Sequence, residues 1–192
     1  MLRWRVDTKN NIWLRRLFPT DIDSVAELSG RAFNSSSISD KIWTMLNIYT
    51  TSGAYCLRLD QQVTLVPVLY YLLVEDHPTG ENLLGLTGLY YPLWAGKGVF
   101  WLGWFAVDPA FQGRGHGTRL LWSTMKLAAA RGGRIMCIET EDSLDAALGL
   151  YHRLGFTRSG EILDYWAPGS NLLILRRSLD DIPIPQEIPD DL

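Results

Sequence analysis

The hydrophobic positions of this chain follow two periods, and the switches between them predict its elements. An apolar stretch at residues 12–18 predicts a strand that ends at Pro19. Two amphipathic helices follow, with apolar positions three and four residues apart. The first is expected to be capped by Thr20, and the second to be capped by Ser39 or Asp40 and to end near Tyr49.

Three apolar stretches in the middle of the chain predict an antiparallel meander. They lie at residues 65–75, 83–94 and 99–107, with turn residues at 76–80 and 95–98 between them. Residues 53–60 fit either a short strand or an irregular cover. Gly103 is unusual inside a strand, where glycine often marks a bulge or a close backbone approach. It fits either a splayed strand or a space left for Trp101 or Trp104.

The second half of the chain alternates between helical and strand patterns. A helix runs to about Arg131 and stops at Gly132-Gly133, and a β-branched strand follows at residues 134–140. Asp142 or Ser143 is expected to cap another helix, which ends at Gly155. Strand–helix–strand order predicts a parallel, right-handed crossover. Residues 156–165 and 172–179 then predict a hairpin.

Composition predicts one domain, residues 1–179, with an acidic, proline-containing tail at residues 180–192. The net charge is −3, and the tail carries five acidic residues, which leaves about +2 (−3 + 5) for the rest. A nucleic-acid partner is not expected. The N-terminus lacks a hydrophobic signal core and the longest apolar run is interrupted by Pro67, so a cytoplasmic protein without membrane contact is expected. Cys56 and Cys137 suggest buried thiols, and no metal site is expected.

A glycine-rich segment at residues 112–117, here called the glycine turn, lies between the strand that Asp108-Pro109 ends and the next helix. Three glycines in five residues permit backbone conformations that a Cβ forbids. The free N–H groups of the helix start, with the helix dipole behind them, favour an anion such as a pyrophosphate. Arg114 can add a charged hydrogen bond. The spacing fits neither a P-loop nor the G-x-G-x-x-G dinucleotide motif.

Two motifs resemble those of a known family. Gln112-x-x-Gly115-x-Gly117 after Val107 resembles the acetyl-CoA signature of the GNAT acetyltransferase superfamily. Residues 150–156, Leu-Tyr-His-Arg-Leu-Gly-Phe, resemble its second signature, about 35 residues later. The pattern is most similar to the ribosomal-protein N-terminal acetyltransferases. The resemblance covers roughly residues 12–179, and it implies an α/β fold with a mixed, mostly antiparallel sheet and helices on both faces.

The resemblance also implies a reaction, in which an acetyl group moves from acetyl-CoA to a primary amine by direct attack in a ternary complex. The acceptor would be a peptide N-terminus or a small-molecule amine. The family binds its coenzyme through a splayed strand and the turn after it. The corresponding residues here are Phe105, Ala106, Val107, Gln112, Gly113, Arg114, Gly115, His116, Gly117 and Thr118.

Tyr151 and Glu139 are the candidate catalytic residues. Tyr151 would protonate the leaving thiolate. Its position on the apolar face of its helix also fits a tyrosine that packs in the core with its hydroxyl hydrogen-bonded. Glu139 ends a strand twelve residues earlier and would accept the amine proton. A salt-bridged strand end and the neighbouring Glu141 are the alternatives. Leu144 stands where the resembled enzymes have an asparagine.

The remaining chemistry-bearing residues have weaker claims. His116 lies where the pyrophosphate would bind, which argues against a catalytic role, and Arg119 fits a solvated helix face. Aromatic residues at 90–94 and at Tyr165-Trp166 could line an acceptor pocket or pack in the core or an interface, and a homodimer is one expectation. Asp164-Tyr165-Trp166 resembles the segment by which peptide-acetylating members contact substrate. A non-catalytic acyl-CoA-binding or interaction module is the alternative, and another type of nucleotide-binding protein is disfavoured by the spacing.

Overall fold

A computed structural model describes residues 3–52, 54–59, 62–92 and 94–185, and within residues 52–67 the backbone alone. The strands are β1 (Arg3–Asp7), β2 (Ile12–Arg16), β3 (Ala54–Leu59), β4 (Gln62–His77), β5 (Gly80–Tyr90), β6 (Val99–Val107), β7 (Ile135–Glu141), β8 (Thr157–Ala167) and β9 (Ser170–Ser178). The α-helices are α1 (Ile22–Ala32), α2 (Ser36–Ser52), α3 (His116–Ala130) and α4 (Asp145–Arg153).

The strands form one mixed sheet in the order β1-β2-β4-β5-β6-β7-β9-β8, with β3 paired to the start of β4. Each described pair is antiparallel except β6 with β7, which is parallel. The single parallel pair brackets α3, as the strand–helix–strand order requires. The predicted mostly antiparallel sheet is therefore confirmed.

Alternating side chains of β4 separate two hydrophobic cores, because successive residues of a strand point to opposite faces. Tyr70, Leu72 and Val74 pack with α1 and α2 on one face of the sheet. Tyr71 and Leu73 pack with α3 and α4 on the other face. Helices thus cover both faces, as predicted.

A β-bulge interrupts the pairing of β5 with β6. The register passes from Thr87 opposite Phe105 to Leu89 opposite Leu102, so Gly103 and Trp104 together oppose Gly88. A Cβ on Gly103 would lie 3.2 Å from the Cα of Gly88. The two glycines therefore let the backbones approach closely, and Gly103 marks a bulge rather than a space for a tryptophan.

The N-terminal region departs from the prediction. Strand β1 was not predicted, and β2 ends at Arg16, two residues early. Thr20 does not cap α1. The carboxylate of Asp21 instead accepts the N–H of Phe18 at 2.8 Å and pairs with Arg15 at 2.7 Å. The predicted cap was wrong because that ion pair fixes the entry into the helix.

Two other predicted caps were also wrong. Helix α2 begins at Ser36, and the hydroxyl of Ser35 accepts the N–H of Ile38, whereas Ser39 donates to a carbonyl of α1. Helix α4 has Leu144 at its N-cap, without a side-chain hydrogen bond. The carboxylate of Asp142 accepts the N–H of Asn171 instead.

Several other expectations meet the structure only in part. Residues 54–59 form the strand β3, while Gly53 and Asp60 lie outside the described residues. The start of the acidic tail is packed, because Ile182 is buried in the core, and residues 186–192 lie outside the description. Cys137 is buried, and the side chain of Cys56 is not described. None of the described helices has the length and apolarity to cross a bilayer.

Replacing Gly88 by alanine should destabilise the fold. The new Cβ would lie 2.7 Å from the buried Tyr70 ring and 3.1 Å from the Cα of Gly103. We expect a loss of about 1–3 kcal/mol in the free energy of unfolding, measured in urea, because overpacking forces neighbours to shift. The control is Gly96→Ala, whose Cβ would meet its nearest atom at 3.9 Å. Equal stability of the two variants would contradict the close approach.

Candidate active site

The strands β6 and β7 pair along only part of their length. Their parallel register runs from Val99 opposite Ile135 to Trp101 opposite Cys137, although the strands continue to Val107 and Glu141. Beyond that point β6 stays paired with β5, and β7 with β9. The two strands therefore diverge, and the edge of β6 that faces β7 offers backbone groups to a ligand.

A cleft of about 750 Å³ opens beside this split. Its wall combines the end of β6, the glycine turn, the end of α1 and one face of α4 with the two residues before it. The lining residues are Ala32, Phe33, Phe105, Ala106, Val107, Gln112, Gly113, Gly115, His116, Gly117, Thr118, Ser143, Leu144, Asp145, Ala146, Ala147, Leu150 and Arg153. The structure thus gathers all the predicted coenzyme residues except Arg114 around one cleft.

The glycine turn has the conformation of an anion site. Gly113 and Gly115 have φ values of 75° and 80°, which glycine adopts without strain. Gly115 is the N-cap of α3 and no side chain caps the helix. Gln112 braces the turn by donating from Nε2 to the carbonyl of Val107 at 3.0 Å. The first N–H groups of α3 are consequently left for a ligand.

The two arginines of this region have different surroundings from those expected. Arg114 is exposed, and its guanidinium lies 5.7 Å from the centre of the Phe111 ring, outside the cleft wall. Arg119, expected on a solvated helix face, donates to the carbonyl of Arg114 at 2.8 Å and pairs with Asp7 at 3.1 Å. The sequence could not indicate this contact because Asp7 is far away along the chain.

Tyr151 lies just behind the cleft wall. Its ring packs 6.4 Å from that of Phe105, a wall residue, and 6.2 Å from that of Phe156. Burial raises the pKa of its phenol to about 12, and no described partner offsets this effect. The hydroxyl is therefore protonated at neutral pH, and among the described residues it has no hydrogen-bond partner of the kind that a purely structural tyrosine would have.

Glu139 and Glu141 differ in their contacts. Glu139 is exposed on the face of β7 opposite the buried Ile138 and Thr140, beyond the last β6–β7 pair. Nearby protein atoms nevertheless raise the pKa of its carboxyl by desolvation, without a described charge or hydrogen-bond partner. Glu141 accepts a hydrogen bond from the Ser170 hydroxyl at 2.7 Å. Glu139 is thus the better placed of the two to accept a proton.

The aromatic residues divide between packing and exposure. Phe33 meets Trp104 edge-on at 5.7 Å, and the Trp104 indole donates to the sulfur of Met45. Tyr90 and Trp94 pack on Trp101, and Leu93 lies outside the described residues. Tyr165 and Trp166 remain exposed at the β8–β9 hairpin. Packing thus accounts for the aromatic residues around Trp101 apart from Trp94, which is 71% exposed, and Tyr165 and Trp166 also present an exposed apolar surface.

An ion pair links the two sides of the cleft. Arg31, at the end of α1, donates to Asp108 at 2.5 Å. The same carboxylate accepts the N–H of Ala110 and so holds the short helical turn that leads to the glycine turn. The end of α1, which contributes Ala32 and Phe33 to the cleft wall, is therefore fastened to the segment that leads into the glycine turn.

The fold and the cleft together define a class, the acyl-CoA-binding α/β proteins with a split central sheet. The model of the acetyltransferase (GNAT) family matches residues 38–156, more than half of the 192 residues, and the chain belongs to that family. The predicted family, an acetyl-CoA-dependent acyltransferase family, is thereby confirmed. The described residues contain no group of three or more potential metal ligands.

Curated relatives match part of the chain. The N-alpha-acetyltransferase RimI of Mycobacterium tuberculosis is 42% identical over 76 residues, which are 39% of this chain and 46% of that protein. The mycothiol acetyltransferase of Amycolatopsis mediterranei is 41% identical over 59 residues, 31% of this chain and 20% of that protein. The chain spans less than half the length of the curated relatives it matches.

Solved structures share the fold at low sequence identity. A GNAT-family acetyltransferase from Desulfovibrio desulfuricans has a TM-score of 0.72 at 20% identity, covering 88% of this chain and 99% of its own. The ribosomal-protein-S18-alanine N-acetyltransferase of Escherichia coli gives 0.64 at 18%, covering 92% and 97%. An acetyltransferase of Salmonella typhimurium, solved with its cofactor acetyl-CoA, gives 0.62 at 18%, covering 93% and 99%.

His116 should make stability depend on pH. Its ring is buried, Nδ1 has no described partner, and burial followed by Arg119 lowers its pKa. Because the unfolded ring regains a pKa of about 6.5, the unfolded chain binds more protons just below that pH. Stability should therefore fall as the pH is lowered through about 6.5. In urea titrations, His116→Gln should flatten this fall and His152→Gln, at an exposed position, should not. Identical pH profiles for all three proteins would exclude His116 as the cause.

Proposed function

We propose that this chain transfers the acetyl group of acetyl-CoA to a primary amine by direct attack in a ternary complex. The observation that carries the proposal is the split between β6 and β7. The split exposes backbone N–H groups near Phe105 and leads to the helix start at the glycine turn, which no side chain caps. On the neighbouring strand β7, the carboxylate of Glu139 has no described partner. An acyl-CoA has a thioester carbonyl and a pyrophosphate that these groups complement.

The reaction needs a neutral amine, a polarised carbonyl and a proton for the leaving sulfur. Glu139, directly or through a water, accepts the proton that the amine nitrogen loses as it attacks the acetyl carbon. N–H groups of residues 105–107 stabilise the charge on the carbonyl oxygen. The carbon–sulfur bond then breaks and Tyr151 donates its phenolic proton to the thiolate. Solvent restores the proton of Tyr151 and removes that of Glu139.

A peptide N-terminus is the acceptor that we favour. The Asp164 carboxylate accepts the N–H of Gly169 at 2.6 Å, and Asn171 accepts the N–H of Asp164 at 2.9 Å. These bonds order the hairpin that presents the exposed Tyr165 and Trp166. The relatives named as N-alpha-acetyltransferases support this choice, whereas the mycothiol acetyltransferase keeps a small-molecule amine as the alternative.

Replacing each glutamate by glutamine separates the roles of Glu139 and Glu141. We expect Glu139→Gln to keep acetyl-CoA binding and to lower turnover by roughly 10²–10⁴-fold, because the base is lost. The measurement is thiol release with a panel of N-terminal peptides and small amines. In the pH–rate profile of the parent, the midpoint of the acidic limb should lie above the ordinary glutamate pKa, since desolvation raises the pKa of Glu139.

The matched variant is Glu141→Gln, which removes the carboxylate that Ser170 already contacts and should leave turnover nearly unchanged. A large loss in Glu141→Gln alone would transfer the role to Glu141. A parent protein that binds acetyl-CoA but acetylates no amine in the panel would favour the non-catalytic module.

Tyr151→Phe removes one oxygen and tests the acid. If Tyr151 protonates the thiolate, fold and acetyl-CoA affinity should hold while the single-turnover rate falls roughly 10²-fold or more. Single-turnover conditions prevent slow product release from hiding the defect. Tyr49→Phe, which alters another buried tyrosine, is the control. Parental rates in Tyr151→Phe would remove the general acid from this mechanism.

A further inference from the structure

Arg119 holds the glycine turn from behind. It lies in the first turns of α3, and its Nη1 donates to the carbonyl of Arg114 at 2.8 Å. A Cβ on Gly115 would meet this same nitrogen at 3.2 Å. Gly115 belongs to the cleft wall and Arg119 does not. The guanidinium therefore contacts the turn on the side away from the cleft.

The charge of Arg119 is neutralised by a fixed partner. Its Nη2 lies 3.1 Å from Oδ2 of Asp7, the last residue of β1. Asp7 also accepts the backbone N–H groups of Lys9 and Asn10 through Oδ1, and the Asn10 side chain through Oδ2. The Asn10 side chain, those N–H groups and Arg119 hold the pKa of Asp7 below its usual value. Asp7 is thus a rigid, charged anchor.

The hydrogen bond from Arg119 to the carbonyl of Arg114 also sets the orientation of the next N–H group, because the peptide unit is planar. In a trans peptide, the carbonyl of one residue and the N–H of the next point in opposite directions. Because Arg119 holds the carbonyl of Arg114 away from the cleft, the N–H of Gly115 is directed toward it. We infer that the Arg119–Asp7 pair positions the Gly115 amide for the coenzyme pyrophosphate, and that Arg119 does not itself bind phosphate.

The inference rests on the proposed binding of the pyrophosphate at the glycine turn. It explains why the guanidinium of Arg119, a cation close to the proposed phosphate site, already contacts two protein acceptors, the carbonyl of Arg114 and the carboxylate of Asp7. It also gives β1 a role in coenzyme binding, because the anchor lies at the end of that strand.

The test compares two acyl donors in four proteins. Dissociation constants are measured by calorimetry for acetyl-CoA and for S-acetylpantetheine, which has the thioester but no pyrophosphate. Arg119→Met and Asp7→Asn should each weaken acetyl-CoA binding roughly 3- to 10-fold, the range for one oriented hydrogen bond. The double variant should be no weaker than Arg119→Met, because the two residues act as a unit. S-acetylpantetheine binding should be unchanged.

Two further variants control for charge and folding. Arg5→Met removes a charge from the same strand pair and should bind both donors like the parent. Arg119→Lys keeps the charge without the paired donors, so it should also weaken acetyl-CoA binding. It serves in place of Arg119→Met if thermal melting shows that Arg119→Met does not fold.

Specific outcomes would overturn the inference. Parental or tighter acetyl-CoA binding in Asp7→Asn, with weaker binding in Arg119→Met, would make Arg119 a direct phosphate ligand. Full affinity in Arg119→Lys would show that the charge alone suffices. Gly115→Val separates this failure from that of the proposed function. If Gly115→Val binds acetyl-CoA normally, the phosphates lie elsewhere; if it loses binding while Asp7→Asn and Arg119→Met retain it, only the positioning role fails.

Discussion

The close approach of Gly88 and Gly103 is the constraint on which the geometry of this molecule depends. Two residues of β6 oppose one of β5 at this point, and a bulge bends and twists the strand that carries it. The parallel pairing of β6 with β7 ends nearby, at Trp101 and Cys137. The bend therefore separates two neighbouring strands without breaking their other pairings. A rigid sheet gains an internal opening while both cores stay filled.

Local patterns in the sequence were sufficient to predict much of the fold. The apolar run of β6 and the glycines that follow it require no distant partner to be recognised. Strand β1 was missed although charged and apolar residues alternate through its five positions, because so short an alternation is a weak signal and the strand depends on its pairing with β2. The predicted helix caps were wrong for a related reason. Several capping residues stand near each helix start, and long-range partners decide which of them is free, as Asn171 does for Asp142.

The candidate site was predictable to the extent that it follows motifs. The glycine turn was identified from its own residue pattern, and Tyr151 from the resemblance of its motif to the second signature of the family; the cleft gathers the turn. The contacts that tune the site join residues far apart in the chain. Ser170 engages Glu141 and leaves Glu139 two residues away unpaired, although both belong to one strand. A sequence shows two equivalent carboxylates here, and the difference between them arises only when β9 returns alongside β7.

In the proposed reaction, the ion pair of Arg31 with Asp108 would couple the binding of the two substrates. It connects the end of α1 to the start of the coenzyme turn, so a ligand that orders either side lowers the entropic cost of ordering the other. Such coupling is reciprocal by thermodynamic necessity. The carboxylate is buried, but half of the Arg31 side chain is exposed to solvent. Dissolved ions therefore screen the link, and the cooperativity between donor and acceptor that the proposed reaction implies would depend on ionic strength.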